Sequence, residues 1–271
     1  MIGRVLVVAG SDSGGGAGIQ ADIKTIAALG GYAQTAVTAV TAQDTHGVRA
    51  VHPVPAEMVA QQMRAALGDV GADAAKTGML GDAATIAAVC DVLEALAPAL
   101  PLVVDPVLAA TGGQRLLAAG ALGVLMARLL PRAALVTPNI PEAEALTGIA
   151  ISGVTDMRRA ADRLRAYGAR AVLVKGGHLP GGTVTDLLVD AAGVQTFVAP
   201  RIDSRHTHGT GCTLASAIAL GLAQGMLLPD AVERARAYVR AAIAAAPGLG
   251  SGHGPLGHML RVDVAPQASG A

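Results

Sequence analysis

Short runs of β-branched and aliphatic residues alternate with longer Ala- and Leu-rich segments whose apolar positions recur at helical spacing. The short runs predict strands at about 4–9, 35–42, 48–54, 74–77, 102–105, 134–137, 171–175, 184–189 and 195–198. Helical spacing predicts helices at about 17–29, 56–67, 83–96, 116–129, 142–146, 156–167, 212–224 and 230–245. Such alternation implies right-handed βαβ crossovers and a mainly parallel sheet covered on both faces. The last two strands, joined by Asp190-Ala191-Ala192-Gly193, predict an antiparallel hairpin at one edge. No internal repeat, low-complexity linker or charge block divides the chain. A single domain over residues 1–250 is expected, followed by a Gly-, Pro- and His-containing tail, 251–271, that reads as loosely ordered. In open parallel sheets ligands bind outside the carboxyl ends of the strands. Motifs that directly follow strands therefore carry the functional argument.

Composition narrows the ligand. Only four of 271 residues are aromatic, Tyr32, Tyr167, Phe197 and Tyr238, which disfavours stacking platforms for single-stranded nucleic acid. Twenty basic and twenty acidic residues give zero formal net charge, with no basic stripe to meet a polyanion or an anionic membrane. The ligand is expected to be small, with neither nucleic acid nor membrane as a partner. The N-terminal apolar run is too short for a signal sequence, and no run approaches the roughly 20 residues of a membrane span. Two cysteines far apart in sequence argue against a disulfide framework. A cytoplasmic location is the expectation.

Two glycine-framed segments follow strands. Ala9-Gly10-Ser11-Asp12-Ser13-Gly14-Gly15-Gly16-Ala17-Gly18 allows close backbone approach to a ligand at a helix start. It is neither a Walker A loop nor a dinucleotide fingerprint, and a plain strand–helix turn is the bland alternative. Gly209-Thr210-Gly211-Cys212 opens an apolar helix. Successive amides there form an anion nest reinforced by the helix dipole, suited to charge on a phosphoryl group in transfer. Cys212 in the first turn is expected to have a lowered thiol pKa and to serve as a base toward an acceptor hydroxyl. A small buried helix-start residue is its bland alternative, and core is the reading for Cys90.

Charged groups complete the pattern. Lys175, one of three lysines, ends an apolar run and precedes Gly176-Gly177, as a phosphate contact would. Asp105 ends another run, and Asn139 and Glu142 follow a third. These could hold Mg²⁺ through water, as nucleotide sites commonly do, or could equally be a helix cap and its acidic first turn. His206 and His208 lack a third metal ligand at a recognisable spacing, and no Gly-x-Ser-x-Gly hydrolase elbow is present.

Seven blocks in order resemble the hydroxymethylpyrimidine/phosphomethylpyrimidine kinases of thiamine biosynthesis, in the ribokinase-like superfamily. They are Ala9–Asp12 with the glycine run through Thr25, Thr41-Ala42-Gln43-Asp44-Thr45, Lys76-Thr77-Gly78-Met79-Leu80, Asp105-Pro106-Val107, Thr137-Pro138-Asn139-Ile140-Pro141-Glu142-Ala143, Val174-Lys175-Gly176-Gly177-His178 and Thr207-His208-Gly209-Thr210-Gly211-Cys212-Thr213. The resemblance covers about residues 4–250. It departs from the family's common pattern at Ser13-Gly14 and Arg205-His206, both in loops.

The resemblance implies an α/β, ribokinase-like three-layer α/β/α fold with a mostly parallel central sheet and an edge hairpin. It implies ATP- and Mg²⁺-dependent phosphorylation of 4-amino-5-hydroxymethyl-2-methylpyrimidine and then of its monophosphate. Gly209, Thr210 and Gly211 match the turn that forms the family's anion hole, Cys212 the Cys that stands where sugar kinases of the superfamily carry a catalytic Asp, and Lys175 a phosphate-facing lysine. Asn139 and Thr210 match its nucleotide side, and Asp105 and Glu142 its magnesium surroundings. Gln43 matches the residue that pairs with the aminopyrimidine, where a carboxamide supplies both donor and acceptor. Gly10, Ala17, Met79 and Val107 match the pocket lining. Homodimers are common among such relatives. A pyridoxal kinase of the same fold is the alternative enzyme, separable by comparing the two substrates. A non-catalytic pyrimidine-binding protein is a third reading, separable by the absence of ADP formation.

Overall fold

The structure, a computed structural model, describes residues 2–110 and 112–259. Nine strands form one sheet in the order β3-β2-β1-β4-β5-β6-β7-β8-β9. They are β1 (Arg4–Asp12), β2 (Tyr32–Asp44), β3 (Gly47–Pro53), β4 (Ala74–Thr77), β5 (Leu102–Val104), β6 (Leu135–Val136), β7 (Val172–Val174), β8 (Thr183–Val189) and β9 (Val194–Pro200). Neighbours from β2 through β7 pair in parallel. The expected hairpin β8–β9 runs antiparallel at one edge. The other edge, β3 on β2, is antiparallel too, joined by the two residues Thr45 and His46.

Each central strand is buried on both faces, as parallel strands beneath helices must be. Along β1, Leu6 and Val8 enter one apolar layer, while Val5, Val7 and Ala9 enter the other, the period-two alternation of a pleat. The first layer is closed by α2 (Ala56–Asp69), α3 (Ala83–Leu96) and α6 (Val154–Ala166), and the second by α1 (Gly18–Ala28), α7 (Thr210–Ala223) and α8 (Leu228–Ala244). The α7 helix is apolar nearly all round, which its place between the sheet and α8 explains. The fold is the expected three-layer arrangement. Among the described residues no helix is long and apolar enough to cross a membrane.

Three local expectations fail. Residues 116–120 are not helical: the amides of Leu116 and Ala118 bond to Leu108 O (2.9 Å) and Gly81 O (2.8 Å), and Gly120 holds φ +84°. The helix α4 (Ala121–Val124) then continues as a π turn, Leu125–Leu129. Leu117, Ala121, Leu125 and Leu129 are buried at four-residue intervals, so the periodicity marked core but not the helix start. Second, β1 runs on through Ser11 and Asp12 into the segment expected as loop, because those polar residues are hydrogen-bonded within the site. Third, residues 251–259 are not a loose tail. His253 N bonds Thr45 O (2.7 Å), Gly257 N bonds Ala242 O (2.8 Å), and Leu256 and His258 are buried. The rest of that tail, 260–271, lies outside the described residues.

Candidate active site

A cleft of about 1080 Å³ opens at the carboxyl ends of the parallel strands. All thirteen residues singled out from the sequence line it: Gly10, Ala17, Gln43, Met79, Asp105, Val107, Asn139, Glu142, Lys175, Gly209, Thr210, Gly211 and Cys212. They arrive from six strand ends and from the starts of α1, α7 and α5 (Ile140–Thr147), so the shared sheet edge alone brings them together.

The turn into α7 is built on glycine. Gly209 adopts φ +86°, and a Cβ there would meet Gly16 O at 1.9 Å, so any side chain would break the contact between the two glycine-framed segments. No side chain caps α7; the Thr210 amide bonds Thr207 O (3.3 Å), which leaves the amides of Gly211 and Cys212 to an incoming acceptor. A Cβ on Gly211 would lie 3.2 Å from Lys175 Nζ and 3.5 Å from Asp105 Oδ2. The lysine and the carboxylate thus converge on the turn itself.

Lys175 Nζ donates to Asp105 Oδ1 (2.9 Å) and stands 3.9 Å from Glu142 Oε2. Burial opposes the Lys175 charge, but Asp105 and Glu142 outweigh it and hold its pKa above the ordinary value. Burial pushes the Glu142 carboxyl up to about 7, against the pull of Lys175 and with the push of Asp105. Two buried carboxylates share one lysine, so the cluster is short of positive charge. Among the described residues no group of three His, Cys, Asp or Glu could hold a metal alone. Two carboxylates beside an uncapped helix start nevertheless fit Mg²⁺, which takes one or two protein carboxylates plus phosphate oxygens and water. Asn139 and Glu142 also form a capping box for α5, each side chain accepting from the other's backbone amide (2.9 and 2.8 Å). The helix-cap reading of both residues is thus found, and the side-chain oxygen of Asn139 is engaged by its own helix.

The expected lowering of the Cys212 thiol is not found. Burial pushes it up to about 11; Lys76 and the Gly18 amide pull it down but are outweighed. Desolvation, which disfavours the thiolate, outweighs the helix dipole at this half-buried position. Cys90, in α3, is fully buried where Cys212 is half-buried, and its thiol is also raised, as a core thiol should be.

Two groups escaped the sequence reading. Asp12, within the first glycine segment, organises it: its carboxylate accepts from the amides of Gly14 (2.8 Å), Gly16 (3.0 Å) and Ala17 (2.8 Å). Burial would raise its pKa, but His208 and those amides together hold it below the usual value. Beneath Cys212, Lys76 and Asp22 form a fully buried ion pair (2.9 and 3.0 Å), and Ser216, one turn further along α7, donates to Asp22 (2.6 Å). The signal was present: a lysine inside the apolar strand Ala74-Ala75-Lys76-Thr77 must be paired.

Comparisons with known proteins agree with this geometry. Residues 12–257 match the family model described as phosphomethylpyrimidine kinase. The chain is 54% identical, over 96% of its length, to a bifunctional thiamine biosynthesis protein of Geobacter sulfurreducens, and spans 53% of that longer protein. It is 50% identical to the hydroxymethylpyrimidine/phosphomethylpyrimidine kinase of Streptomyces coelicolor, over 94% of this chain and 93% of that one. Among solved structures, the phosphomethylpyrimidine kinase of Clostridium difficile superposes with TM-score 0.78 at 39% identity, covering 89% of this chain and 98% of that one. The pyridoxal kinase of Staphylococcus aureus, in complex with AMP-PCP and pyridoxal, superposes with TM-score 0.87 at 34% identity, covering 97% and 96%. With a strand-end cleft that joins an uncapped glycine turn to a lysine and two carboxylates, a family model matched over residues 12–257 and 50% identity to the Streptomyces coelicolor enzyme, the chain belongs to the phosphomethylpyrimidine kinase family.

Proposed function

We propose that this chain transfers the γ-phosphoryl group of ATP to 4-amino-5-hydroxymethyl-2-methylpyrimidine and then to the resulting monophosphate, yielding the diphosphate used in thiamine diphosphate biosynthesis. One observation carries the reading: Lys175 and Asp105 pack onto Gly211 of an uncapped helix start, across the same cleft that Gln43 and Met79 line. Phosphoryl transfer depends on positioning and electrostatic stabilisation, and those are the features this arrangement offers.

In the first step the hydroxymethyl oxygen bonds to the γ-phosphorus, the bond from phosphorus to the bridging β,γ oxygen breaks, ADP departs, and the hydroxyl proton is released to solvent. We assign the amides of Gly209–Cys212 and the Lys175 ammonium to the charge on the transferring group. Asp105 and Glu142 would hold Mg²⁺ on the nucleotide phosphates, where the metal supplies charge neutralisation. The thiol of Cys212, neutral at pH 7 when its pKa stands near 11, is not poised to take the hydroxyl proton. We therefore assign Cys212 to filling the first turn around the amides. Gln43, Gly10, Ala17, Met79 and Val107 are assigned to the ring of the acceptor.

The likeness to a pyridoxal kinase structure keeps pyridoxal as a second acceptor to be tested. Measuring ADP release with ATP and Mg²⁺, using each acceptor separately, decides between them. The proposal predicts a larger kcat/KM for the aminopyrimidine; a preference for pyridoxal would replace it. Tight binding of the pyrimidine without any ADP would support the non-catalytic reading instead.

A further inference from the structure

His208 Nε2 faces two groups at once, Asp12 Oδ2 at 3.1 Å and the terminal amide of Gln43 at 3.1 Å. The carboxylate of Asp12 already accepts three backbone N–H groups, so it is ionised and has no hydrogen to offer. Nε2 must therefore carry the hydrogen and donate it. A protonated ring nitrogen cannot also accept. The Gln43 atom turned toward it has to be the carboxamide oxygen, an assignment that heavy-atom positions alone do not make.

An independent contact gives the same answer. Thr41 Oγ1 stands 3.5 Å from the other terminal atom of Gln43. Its hydroxyl hydrogen is spent on Ser11 O, at 2.9 Å. What Thr41 offers Gln43 is thus a lone pair, which calls for the NH₂ group on that side. His208 and Thr41 clamp the carboxamide from opposite ends, and each demands the same polarity.

We propose that Asp12 and His208, with Thr41, lock the Gln43 carboxamide with its oxygen on the His208 side and its NH₂ on the Thr41 side, and that this lock selects the acceptor ring. The proposal rests on the reading above that Gln43 pairs with the acceptor. A 4-aminopyrimidine offers a ring nitrogen that accepts beside an amino group that donates. It then seats in one orientation, amino group toward the His208 side and ring nitrogen toward the Thr41 side. The 4-oxo analogue offers the reverse, a carbonyl that accepts beside a ring N–H that donates. A carboxamide free to flip would serve both rings; a locked one refuses the second. His208 and Asp12 are positioning residues here, acting through Gln43.

The test compares kcat/KM for 4-amino- and 4-oxo-5-hydroxymethyl-2-methylpyrimidine. His208→Leu should lower the amino-over-oxo ratio by at least about tenfold, since a mismatched buried hydrogen bond is what produces such discrimination. His208→Gln, which keeps an N–H donor in place, should retain the ratio. A purely structural role would slow both substrates and leave the ratio unchanged in His208→Leu; that result overturns the proposal. A second arm needs no substrate. In ¹⁵N-labelled wild-type protein, His208 should show a protonated Nε2, and the Gln43 NH₂ should give cross-peaks to the Thr41 methyl. An unprotonated Nε2, or Gln43 NH₂ contacts to the His208 ring, overturns the lock. If the wild type phosphorylates neither ring while the lock is seen by NMR, the substrate reading fails and the lock stands.

Discussion

Replacing Lys76 by Met removes the cation from the pair beneath the anion turn and leaves the carboxylate of Asp22. Both side chains are fully buried, so the stranded carboxylate must either stay charged without its partner or take up a proton. The first route costs about 3–5 kcal/mol. The second, for a carboxyl with an unfolded-state pKa of about 3.9, costs about 4 kcal/mol at pH 7 and about 1.4 kcal/mol less for each unit of acidification. Burial already raises the Asp22 pKa with Lys76 in place, which makes protonation the accessible route once Lys76 is gone. Lys76→Met should therefore lose about 4 kcal/mol at pH 7 and only about 1.5 kcal/mol at pH 5. The double variant Asp22→Asn/Lys76→Met, with neither charge, should recover most of that loss. Urea unfolding followed by far-UV circular dichroism measures this, since the chain has no tryptophan to report by fluorescence. A loss equal at both pH values, or a double variant no more stable than the single, would refute the reasoning.

Four further outcomes follow from the same geometry. With its thiol near pH 11, Cys212 should be alkylated slowly by iodoacetamide at pH 7 and about tenfold faster per pH unit toward pH 10; peptide mapping would read the rate, and a midpoint near 7 would restore the thiolate base. If the thiol is not the base, Cys212→Ala should slow both phosphorylations by similar factors, and a selective loss of the first would count against that assignment. For Glu142, the folded pKa near 7 lies above the ordinary 4.5, so below about pH 4.5 neither state bears the charge and above about pH 7 the folded state carries its full cost. Glu142→Gln, which can keep the capping bond, should thus raise the Tm of ligand-free protein at pH 8 but hardly at pH 5, while reducing ATP–Mg²⁺ turnover. Gly209→Ala, forced to φ +86° with its Cβ 1.9 Å from Gly16 O, should cost at least about 2 kcal/mol and cut kcat by about a hundredfold through displaced turn amides.

Periodicity made most of the fold legible, because strands buried on both faces and helices buried on one leave distinct patterns. It misled where burial and backbone conformation part company, as at Leu117, which is core yet lies in a loop held by Leu108 and Gly81. The glycine turn, Lys175, Asp105, Asn139 and Glu142 could be named because each follows a strand or opens a helix, whereas Gln43, Gly10, Ala17, Met79 and Val107 were named only through the family resemblance. The pairings Asp12–His208 and Asp22–Lys76 span 196 and 54 positions, and no local pattern joins such partners. The pKa of Cys212 was misjudged for a related reason: desolvation depends on what packs over the thiol, and the chain segments that do so are remote in sequence. The packing of 251–259 against Thr45 and His208 escaped because Gly and Pro there signal a turn without saying what it touches.

The most direct test of the central claim is a ³¹P NMR time course of the purified chain with ATP, Mg²⁺ and 4-amino-5-hydroxymethyl-2-methylpyrimidine. One cleft serving both transfers predicts a monophosphate ester signal that rises and then falls as a diphosphate accumulates, with two ADP formed per pyrimidine at completion. A reaction that stops at the monophosphate, or ATP that remains intact, would contradict it.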